Sequence, residues 1–514
     1  MITPLRPDSH VRFIRTPRYL WPFNSESSAF WPPLGFCSLA GALRDALPSL
    51  RLSILDCPIM KMGWKTLERA LRADPPDVVC VGEETVSSPE GRRLAGLVKR
   101  IDPGIIVVAG GVYFSYAVEE TFSEGDVDFI VRGEGERALV ELVRALMEKD
   151  PDPSRIEGLA YRQGERVCVN PLRAPIHNLD DLPWPAYDLL PVDSYGRDSL
   201  THPRLACLEH SRGCVDQCSF CILWKHFGKP VNNHLVPCYR TKSAERSFAE
   251  VEWLAGRYGR KTINFVDPCF NADPGWTDRF AQLLLASDLR VDFTAWMRAD
   301  FIVRDEGLGL LEKLVRAGLR QVYIGIERTE SSELQWLNKH HNDPETTRRA
   351  FEILRRRYPV VFTIGTIMFG MPWESRKTLA RLIADAESYP VDYTFFIPLA
   401  PNPGTEIRAA LERQEFRMSE DFREYNFFTP VVGTQHLSRS GLENFYSDIL
   451  CRVSPARLRW LLQAFSERRG GRNRQVFRHL CRHALKVGLR QLAGRFSRNG
   501  RSTLYAEKPD WYDS

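Results

Sequence analysis

Three cysteines stand close together near the middle of the chain. They are Cys214, Cys218 and Cys221 in the segment SRGCVDQCSFCILW, with the spacing C-x3-C-x2-C. Three thiolates at this spacing can hold three irons of a [4Fe–4S] cluster and leave the fourth iron open to a substrate or cofactor. Structural zinc normally takes four ligands, often from two paired motifs, and the chain has no second C-x-x-C. The residues therefore favour cluster chemistry over a zinc site or buried thiols.

The overall composition is that of a globular protein. The chain has 514 residues, enough for about two to four domains, and is 43% apolar and 26% charged. No run of ~18 uncharged apolar residues predicts a transmembrane helix, and the first residues lack the apolar core of a signal peptide. We therefore expect a cytoplasmic protein, in which the 12 cysteines are thiols or metal ligands rather than disulfides.

Short β-branched segments alternate with helical stretches over residues 1–150. The predicted strands are 11–14, 52–55, 78–81, 105–109 and 128–131. This alternation predicts a doubly wound α/β domain, whose ligands lie beyond the carboxyl ends of the strands. Ser87, Ser88, Gly110 and Gly111 follow two of these strands, so we take them as candidate cofactor-binding residues.

A second alternation follows a proline-rich linker. The linker, residues 151–200, contains the run LDDLPWPAYDLLP, which is typical of an extended connection between domains. Six strand–helix units over residues 201–410 predict a full or partial (β/α)6 barrel, with chemistry at the carboxyl ends of its strands. The cysteine motif directly follows the first of these strands, and the six strands are predicted at 205–208, 262–266, 292–295, 321–324, 362–368 and 393–397.

Residues 411–514 are predicted to form a helical and basic C-terminal region. Residues 452–501 hold 14 Lys or Arg and one acid, although the whole chain has a net charge of only +5. Phe477, Leu480, Ala484 and Val487 recur there at helical spacing. A basic amphipathic helix of this kind can lie on an anionic membrane or on nucleic acid, or it can be a solvated helix packed on the body of the protein.

The cysteine motif after the first barrel strand resembles that of the radical S-adenosylmethionine (SAM) superfamily. In that family SAM binds the open iron, and an electron from the cluster cleaves SAM to methionine and a 5′-deoxyadenosyl radical. The resemblance implies that Cys214, Cys218 and Cys221 are the cluster ligands and that SAM is a cofactor. It also implies an electron donor, such as a reductase, a ferredoxin or a flavodoxin.

Later barrel segments are similar to the same family. TINFVDPCFN around Asp267 resembles the second-strand segment, but Pro268 replaces its second acid. WMRAD, with Arg298, resembles the third-strand segment. YIGIER, with Glu327, resembles the fourth-strand segment, whose acid often lies near the SAM ribose. The resemblance makes Arg298 and Glu327 candidate cofactor-binding residues, and an ordinary ion pair at the barrel end is the alternative.

The first 150 residues resemble the cobalamin-binding domain that precedes many radical SAM barrels. The matching segments, in order, are WPPLGFCSLAGAL, PDVVCVGEETVSS, VVAGG and IVRGEGE, and they imply a cobalamin cofactor. Domains of this kind that ligate cobalt from below use D-x-H-x-x-G, whereas here Asp56 is followed by Cys57 and no histidine lies between His10 and His177. We expect no protein imidazole below cobalt, which favours methyl transfer to a carbon radical.

As a whole, the resemblance implies a C-methyltransferase that uses two SAM molecules, one as methyl source and one as radical source. It is most specific for the hopanoid C-3 methylases, which implies methylation of an unactivated carbon of an apolar polycyclic substrate and peripheral membrane contact through residues 452–501. Two alternatives stay open. An anaerobic cyclase acting on Mg-protoporphyrin monomethyl ester shares the domain order but adds oxygen from water. A tRNA-modifying radical SAM enzyme is the other, although nucleic acid is not the partner we expect, because the body of the chain is net acidic.

Overall fold

The computed structural model describes residues 4–19, 31–123, 125–197, 199, 202–232, 234–451, 458, 462 and 508–514. The amphipathic helix predicted within residues 452–501 therefore lies outside the described residues, apart from two isolated positions. No helix among the described residues is long and apolar enough to cross a membrane.

The N-terminal part is built on one seven-stranded sheet. Its strands are β1 (His10–Arg15), β2 (Arg51–Asp56), β3 (Val78–Gly82), β4 (Ile106–Gly110), β5 (Phe129–Val131), β6 (Leu159–Gln163) and β7 (Arg166–Val169). They lie in the order β2-β1-β3-β4-β5-β6-β7, in which the first five are parallel and the last two antiparallel. The strand order reverses between β1 and β3, and ligands of doubly wound sheets bind beyond such a point.

Helices cover both faces of this sheet. Val78 and Cys80 of β3 pack into one apolar cluster, whereas Val79 and Val81 pack into another on the opposite face. Both faces of the sheet are therefore buried, which explains why the central strands are continuous apolar runs rather than alternating apolar and polar residues. The helices are α1 (Leu34–Ala46), α2 (Cys57–Met60), α3 (Trp64–Ala73), α4 (Ser88–Ile101), α5 (Gly111–Tyr116), α6 (Val118–Ser123) and α7 (Gly135–Leu146).

The second part is a six-stranded parallel sheet in the order β17-β16-β15-β14-β13-β8. The strands at its two ends do not pair among the described residues, so the sheet is a partial barrel, as predicted. Its strands are β8 (Leu205–Leu208), β13 (Thr262–Phe265), β14 (Asp292–Trp296), β15 (Leu319–Glu327), β16 (Phe362–Phe369) and β17 (Tyr393–Pro398). Short strands form small additional pairs: β9 (Ser211–Arg212), β10 (Lys229–Val231), β11 (His234–Val236) and β12 (Arg240–Thr241).

Several helices of the barrel begin at side-chain N-caps. A Ser, Thr or Asp oxygen accepts a backbone N–H of the first turn, which satisfies a donor that has no partner within the helix. The capping residues are Ser243, Asp273, Asp343, Ser375 and Thr405. The helices are α8 (Leu223–His226), α9 (Ala244–Tyr258), α10 (Pro274–Ala286), α11 (Ala299–Gly307), α12 (Leu310–Ala317), α13 (Ser331–Trp336), α14 (Pro344–Arg357), α15 (Arg376–Glu387), α16 (Glu406–Arg413) and α17 (Arg439–Cys451).

Candidate active site at the domain interface

The three cysteines lie on the loop between β9 and α8, beside the carboxyl end of β8. The loop is tied to the barrel by its backbone: the Ser219 N–H donates to the Leu337 carbonyl at 2.9 Å, and the Ser219 carbonyl accepts from the Ile407 N–H at 3.0 Å. Burial raises the pKa of the Cys218 thiol to about 12 and that of the Cys221 thiol to about 11. A bound cation is therefore needed to hold these groups as thiolates at neutral pH.

The residue before the first cysteine has to be glycine. Gly213 has φ +83°, and a Cβ at this position would lie 1.9 Å from the Cys238 carbonyl oxygen. The backbone of the cysteine loop therefore passes directly against the strand pair that follows it. Any side chain at residue 213 would displace the start of the loop.

The arrangement of thiols fits a cluster better than one metal ion. All three cysteines are free, Cys214 and Cys221 act electrostatically on Cys218, and Cys214 also acts on Cys221. Among the described residues, no group of three or more His, Cys, Asp or Glu side chains could hold a metal ion. In a cubane cluster each cysteine binds a different iron, so the thiols need to be near one another without converging on one point. The electrostatic coupling of the three thiols and their failure to form a single-ion site are compatible with this requirement.

Arg298 lies against the cysteine loop. Its guanidinium pairs with Asp216, which stands between the first two cysteines, and with Asp300 at 2.6 Å. Asp216 also contacts the Nδ1 atom of His341 at 3.0 Å. In this geometry Arg298 anchors the loop through an ion pair, and its role in binding a cofactor stays a prediction. The sequence analysis missed Asp216, although its place inside the motif was a signal.

Glu327 ends β15 in an unusual backbone conformation. Its φ is +60°, and the register with β16 shifts at this point, which is typical of a β-bulge that re-aims a side chain near an active site. Its carboxylate lies 3.2 Å from the Lys339 ammonium. Burial disfavours that charge, but Glu327 and Cys218 outweigh burial and raise the pKa of Lys339. Lys339 thus places a positive charge beside the cysteine loop, and no sequence pattern had indicated it.

Asp267 links two neighbouring segments of the barrel through hydrogen bonds. One carboxylate oxygen accepts from the His210 N–H at 2.9 Å and from the Ser211 hydroxyl at 2.7 Å. This ties the end of β13 to the segment that enters the cysteine loop.

The four candidate residues of the N-terminal domain all lie at the carboxyl edge of its sheet. The Ser87 hydroxyl donates to Glu83 at 2.6 Å, and the Ser88 hydroxyl donates to the Thr85 carbonyl at 2.9 Å. Gly110 ends β4, and Gly111 has φ +84°, where an added Cβ would lie 3.2 Å from the backbone N and O atoms of Glu83. The two serines thus shape the edge through local hydrogen bonds, and their contact with a cofactor stays a prediction.

The carboxyl edges of the two sheets face each other. Arg212, directly before the cysteine loop, donates to Glu136 at the start of α7 at 2.6 Å. Tyr116, at the end of α5, packs on Gly404, which follows β17 and has φ +82°. Glu134 pairs with Arg240 at 2.7 Å. These contacts place the candidate cofactor edge of the first domain directly opposite the cysteine loop of the second.

A row of mostly aromatic side chains crosses the interior of the barrel at one level. Trp296 is in register with Tyr323, Tyr323 with Ile364, and Ile364 with Tyr393. All four are partly exposed, whereas Ala295, Val322 and Ile324 on the other face of β14 and β15 are buried. The rings of Trp296 and Tyr323 stack with centroids 4.4 Å apart. We call these four residues the aromatic row; the sequence analysis had not identified it.

Two family models match the chain. The B12 binding domain matches residues 22–143, and the Radical SAM superfamily matches residues 208–383. The two ranges together span more than half of the chain and correspond to the two sheets described above.

Curated relatives match over most of the chain. An uncharacterized methyltransferase of Pyrococcus horikoshii is 28% identical over 79% of this chain and 84% of its own length. The anaerobic magnesium-protoporphyrin IX monomethyl ester cyclase of a Synechocystis species is 28% identical over 79% of this chain and 78% of the relative. The hopanoid C-3 methylase of Methylococcus capsulatus is 25% identical over 81% of this chain and 75% of the relative.

Two solved structures share the fold. The radical SAM methyltransferase TsrM from Kitasatospora setae, with cobalamin and a [4Fe–4S] cluster bound, has a TM-score of 0.65 at 18% identity and covers 87% of this chain and 90% of its own. The cobalamin-dependent SAM radical enzyme OxsB, with aqua-cobalamin and SAM bound, has a TM-score of 0.68 at 15% identity and covers 96% of this chain and 73% of its own.

These comparisons confirm the predicted α/β architecture of a cobalamin-binding domain followed by a radical SAM partial barrel. They also confirm that the chain is an enzyme and that its cofactors are a [4Fe–4S] cluster, SAM and cobalamin. The chain therefore belongs to the cobalamin-dependent radical SAM enzymes.

Proposed function

We propose that the enzyme is a methyltransferase that adds a methyl group to an unactivated carbon of an apolar polycyclic substrate, with C-3 of a hopanoid as the specific candidate. Relatives named as methyltransferases support the reaction class, and the hopanoid C-3 methylase supports the substrate class. The aromatic row is the observation that carries the substrate proposal. Aromatic side chains in a row offer a broad apolar wall, and burying apolar area against it is favourable by roughly 25 cal/mol per Å2.

The cofactors supply the methyl donor and a hydrogen-abstracting radical, and the chain's own residues position both against the substrate. Cys214, Cys218 and Cys221 would hold the cluster, with Arg298 and Lys339 beside the loop. Residues after β3 and β4 would hold cobalamin on the opposite edge. The contacts between the two edges bring the two cofactor sites to one space, and the reacting groups would have to meet there with little access of water.

The surroundings of Asp56 support methyl transfer without a protein ligand below cobalt. This carboxylate is fully buried, accepts the Tyr195 hydroxyl at 2.5 Å and lies 3.3 Å from the Arg15 guanidinium. Cys57 follows Asp56 in the chain, and the D-x-H-x-x-G motif of the domains that ligate cobalt through a histidine is absent here. His10 begins β1 at the opposite edge of the sheet, where its Nε2 atom bonds the Ser53 hydroxyl at 2.7 Å.

The cyclase reaction is the second candidate. The magnesium-protoporphyrin cyclase of Synechocystis matches the chain with higher identity than the hopanoid methylase does. A flat tetrapyrrole could also lie against the aromatic row. The two functions differ in the atom that is added, because a methyltransferase adds carbon from SAM, whereas the cyclase reaction suggested by the sequence resemblance adds oxygen from water.

Isotope labelling separates these candidates. Reconstituted enzyme is incubated anaerobically with a reductant and with SAM that carries a 13C-labelled methyl group. One incubation contains a hopanoid without a substituent at C-3. The other contains Mg-protoporphyrin monomethyl ester in H2 18O. The proposal expects a hopanoid heavier by one labelled methyl group, with turnover reduced in Trp296→Ala but retained in the exposed-site control Trp184→Ala. Labelled oxygen in the tetrapyrrole, with an unchanged hopanoid, would contradict it.

The proposal includes membrane contact through the basic segment 452–501, because an apolar polycyclic substrate resides in a membrane. Each basic residue near an anionic surface contributes roughly 1 kcal/mol of attraction. Sedimentation with anionic liposomes should therefore carry the protein down at low salt, and neutral liposomes should not. If anionic liposomes leave the protein in solution, or if tRNA displaces it from them, the membrane part of the proposal is wrong.

A further inference from the structure

A cleft lies between the two domains beside the cysteine loop. Its N-terminal side is formed by Tyr116 and Arg132, which follow β4 and β5. Arg173 of the linker lines another side, and Lys225 and His226 of α8 line the barrel side. The cleft therefore borders the segment that directly follows the third cysteine.

Arg132 has no carboxylate partner among the described residues. Its guanidinium makes only long hydrogen bonds, to the Ser115 and Asn170 carbonyl oxygens at 3.4 Å each. Burial lowers the pKa of Arg132, and only the Tyr116 phenol acts in the opposite direction. A partly buried guanidinium is costly unless a negative group is close to it, so this charge lacks the partner that would offset its desolvation.

Two other side chains of the cleft each have one nitrogen atom without a hydrogen-bond partner in the described part of the chain. The His226 Nδ1 and Arg173 Nε atoms are buried without a hydrogen bond. Glu134 is the acid that lines the cleft, and it is already engaged by Arg240 at 2.7 Å and by the Ile176 N–H at 2.7 Å. Arg173 pairs with Glu141, and Lys225 lies 3.7 Å from Glu406 and donates to the Gly404 carbonyl at 3.1 Å. Arg132 therefore remains as a partly buried positive charge of the cleft without an acid partner among the residues that the structure describes.

We propose that this cleft binds one anionic group, a carboxylate or a phosphate, through Arg132, with Lys225 and His226 as neighbouring donors. A guanidinium binds such oxyanions with two parallel hydrogen bonds. The anion has two chemical sources: the phosphodiester in the nucleotide tail of cobalamin, or an acidic group on the substrate. The proposal goes beyond methyl transfer and does not depend on it, because it concerns charge recognition and not the bond that is made.

Inorganic phosphate is the probe, and its binding to the enzyme is measured by calorimetry. The enzyme is loaded with the cluster and with either cobalamin or cobinamide. Cobinamide lacks the phosphodiester of the nucleotide tail. If the anion belongs to the substrate, phosphate binds both forms. If the cobalamin tail fills the cleft, phosphate binds only the cobinamide form. In either case Arg132→Met should weaken the binding of phosphate by about tenfold or more, because a charge-assisted hydrogen bond is lost.

Arg166→Met is the matched control, since Arg166 is exposed on β7 of the same sheet, away from the cleft. It should bind phosphate like the unmodified enzyme. Lys225→Met provides a second cleft variant if Arg132→Met folds poorly, and it should weaken binding in the same direction. The proposal is overturned if phosphate binds neither loaded form, or if both cleft variants fold and bind phosphate as tightly as the Arg166→Met control.

Discussion

Arg212 donates a hydrogen bond of 2.6 Å to Glu136, and this bond joins the entrance of the cysteine loop to the first turn of α7 in the cobalamin-binding domain. Both side chains are buried, and Glu136 also accepts the Ser38 hydroxyl at 2.8 Å. The GEGE segment of the first domain is thereby fixed against the SRGC segment of the second. The two edges that would carry the cofactors are held together by a charge pair that water does not screen.

This pair makes the stability of the enzyme sensitive to acid. Burial would raise the pKa of Glu136, but the Arg212 guanidinium and the Ser38 hydroxyl outweigh burial and lower it to about 2. A depressed folded-state pKa contributes stability above the ordinary pKa, and this contribution is lost as pH falls from about 4.5 toward 2. The loss is on the order of 3 kcal/mol.

Glu136→Gln tests this contribution. The variant should unfold at a lower urea concentration than the unmodified enzyme at pH 7, and the difference should shrink below pH 4.5. Glu157→Gln, at an exposed position of the same domain, is the control and should behave like the unmodified enzyme. A difference between the two proteins that stays constant down to pH 3 would mean that the pair does not provide the acid-sensitive stability.

Gly213→Ala should disrupt the cysteine loop. The new Cβ would have to occupy space 1.9 Å from the Cys238 carbonyl oxygen in a backbone conformation that only glycine adopts readily. We expect anaerobically reconstituted Gly213→Ala to hold much less iron than the unmodified enzyme. Gly307→Ala is the control, because nothing lies within 4 Å of a Cβ there, and it should retain its iron. Normal iron content in Gly213→Ala would show that the loop tolerates this shift.

Lys339→Met should make the reduction potential of the cluster more negative. Its ammonium acts electrostatically on Cys218, and a nearby positive charge stabilises the reduced, more negative cluster. Each ~1.4 kcal/mol of lost attraction corresponds to about 60 mV for one electron. A redox titration followed by electron paramagnetic resonance measures the shift. Lys339→Arg keeps the charge and should keep the potential, and an unchanged potential in Lys339→Met would contradict the role assigned to this residue.

The cob(II)alamin form should show no nitrogen splitting from a protein imidazole. The reason is that Asp56 is engaged by Tyr195, and the remainder of the N-terminal domain has no histidine between His10 and His177. Electron paramagnetic resonance of enzyme grown with 15N, loaded with unlabelled cobalamin, distinguishes protein nitrogen from the cofactor's own base. A 15N doublet on the cobalt signal would show that a protein side chain ligates cobalt from below.

The elements that position the site could be predicted from the sequence because they rest on local patterns. The barrel strands are apolar runs, and the predicted segment 205–208 coincides with β8. The three cysteines are adjacent in the chain, so their spacing alone indicated a cluster. Local patterns carry this information because a strand or a cysteine motif is built within a few residues of sequence.

The partners of the site residues could not be predicted in this way. Arg212 and Glu136 are 76 residues apart, and Arg298 meets Asp216 across 82 residues. Only the packing of the two sheets brings such residues together, and no periodicity or spacing in the sequence records it. The aromatic row has the same origin, because it depends on the register of four strands that are separated by helices.

The cluster is the feature on which the whole account depends, and the measurement that tests it most directly is iron content combined with electron paramagnetic resonance. Anaerobically reconstituted and reduced enzyme should hold about four irons and give a cluster signal that changes when SAM is added. The triple variant of Cys214, Cys218 and Cys221 to alanine should hold almost no iron. Cys269→Ala is the control, because Cys269 is buried and interacts electrostatically with Cys214 but lies outside the motif; this variant should retain both the iron and the signal. Full iron content in the triple variant would contradict the account, and so would a cluster signal of the unmodified enzyme that does not change when SAM is added.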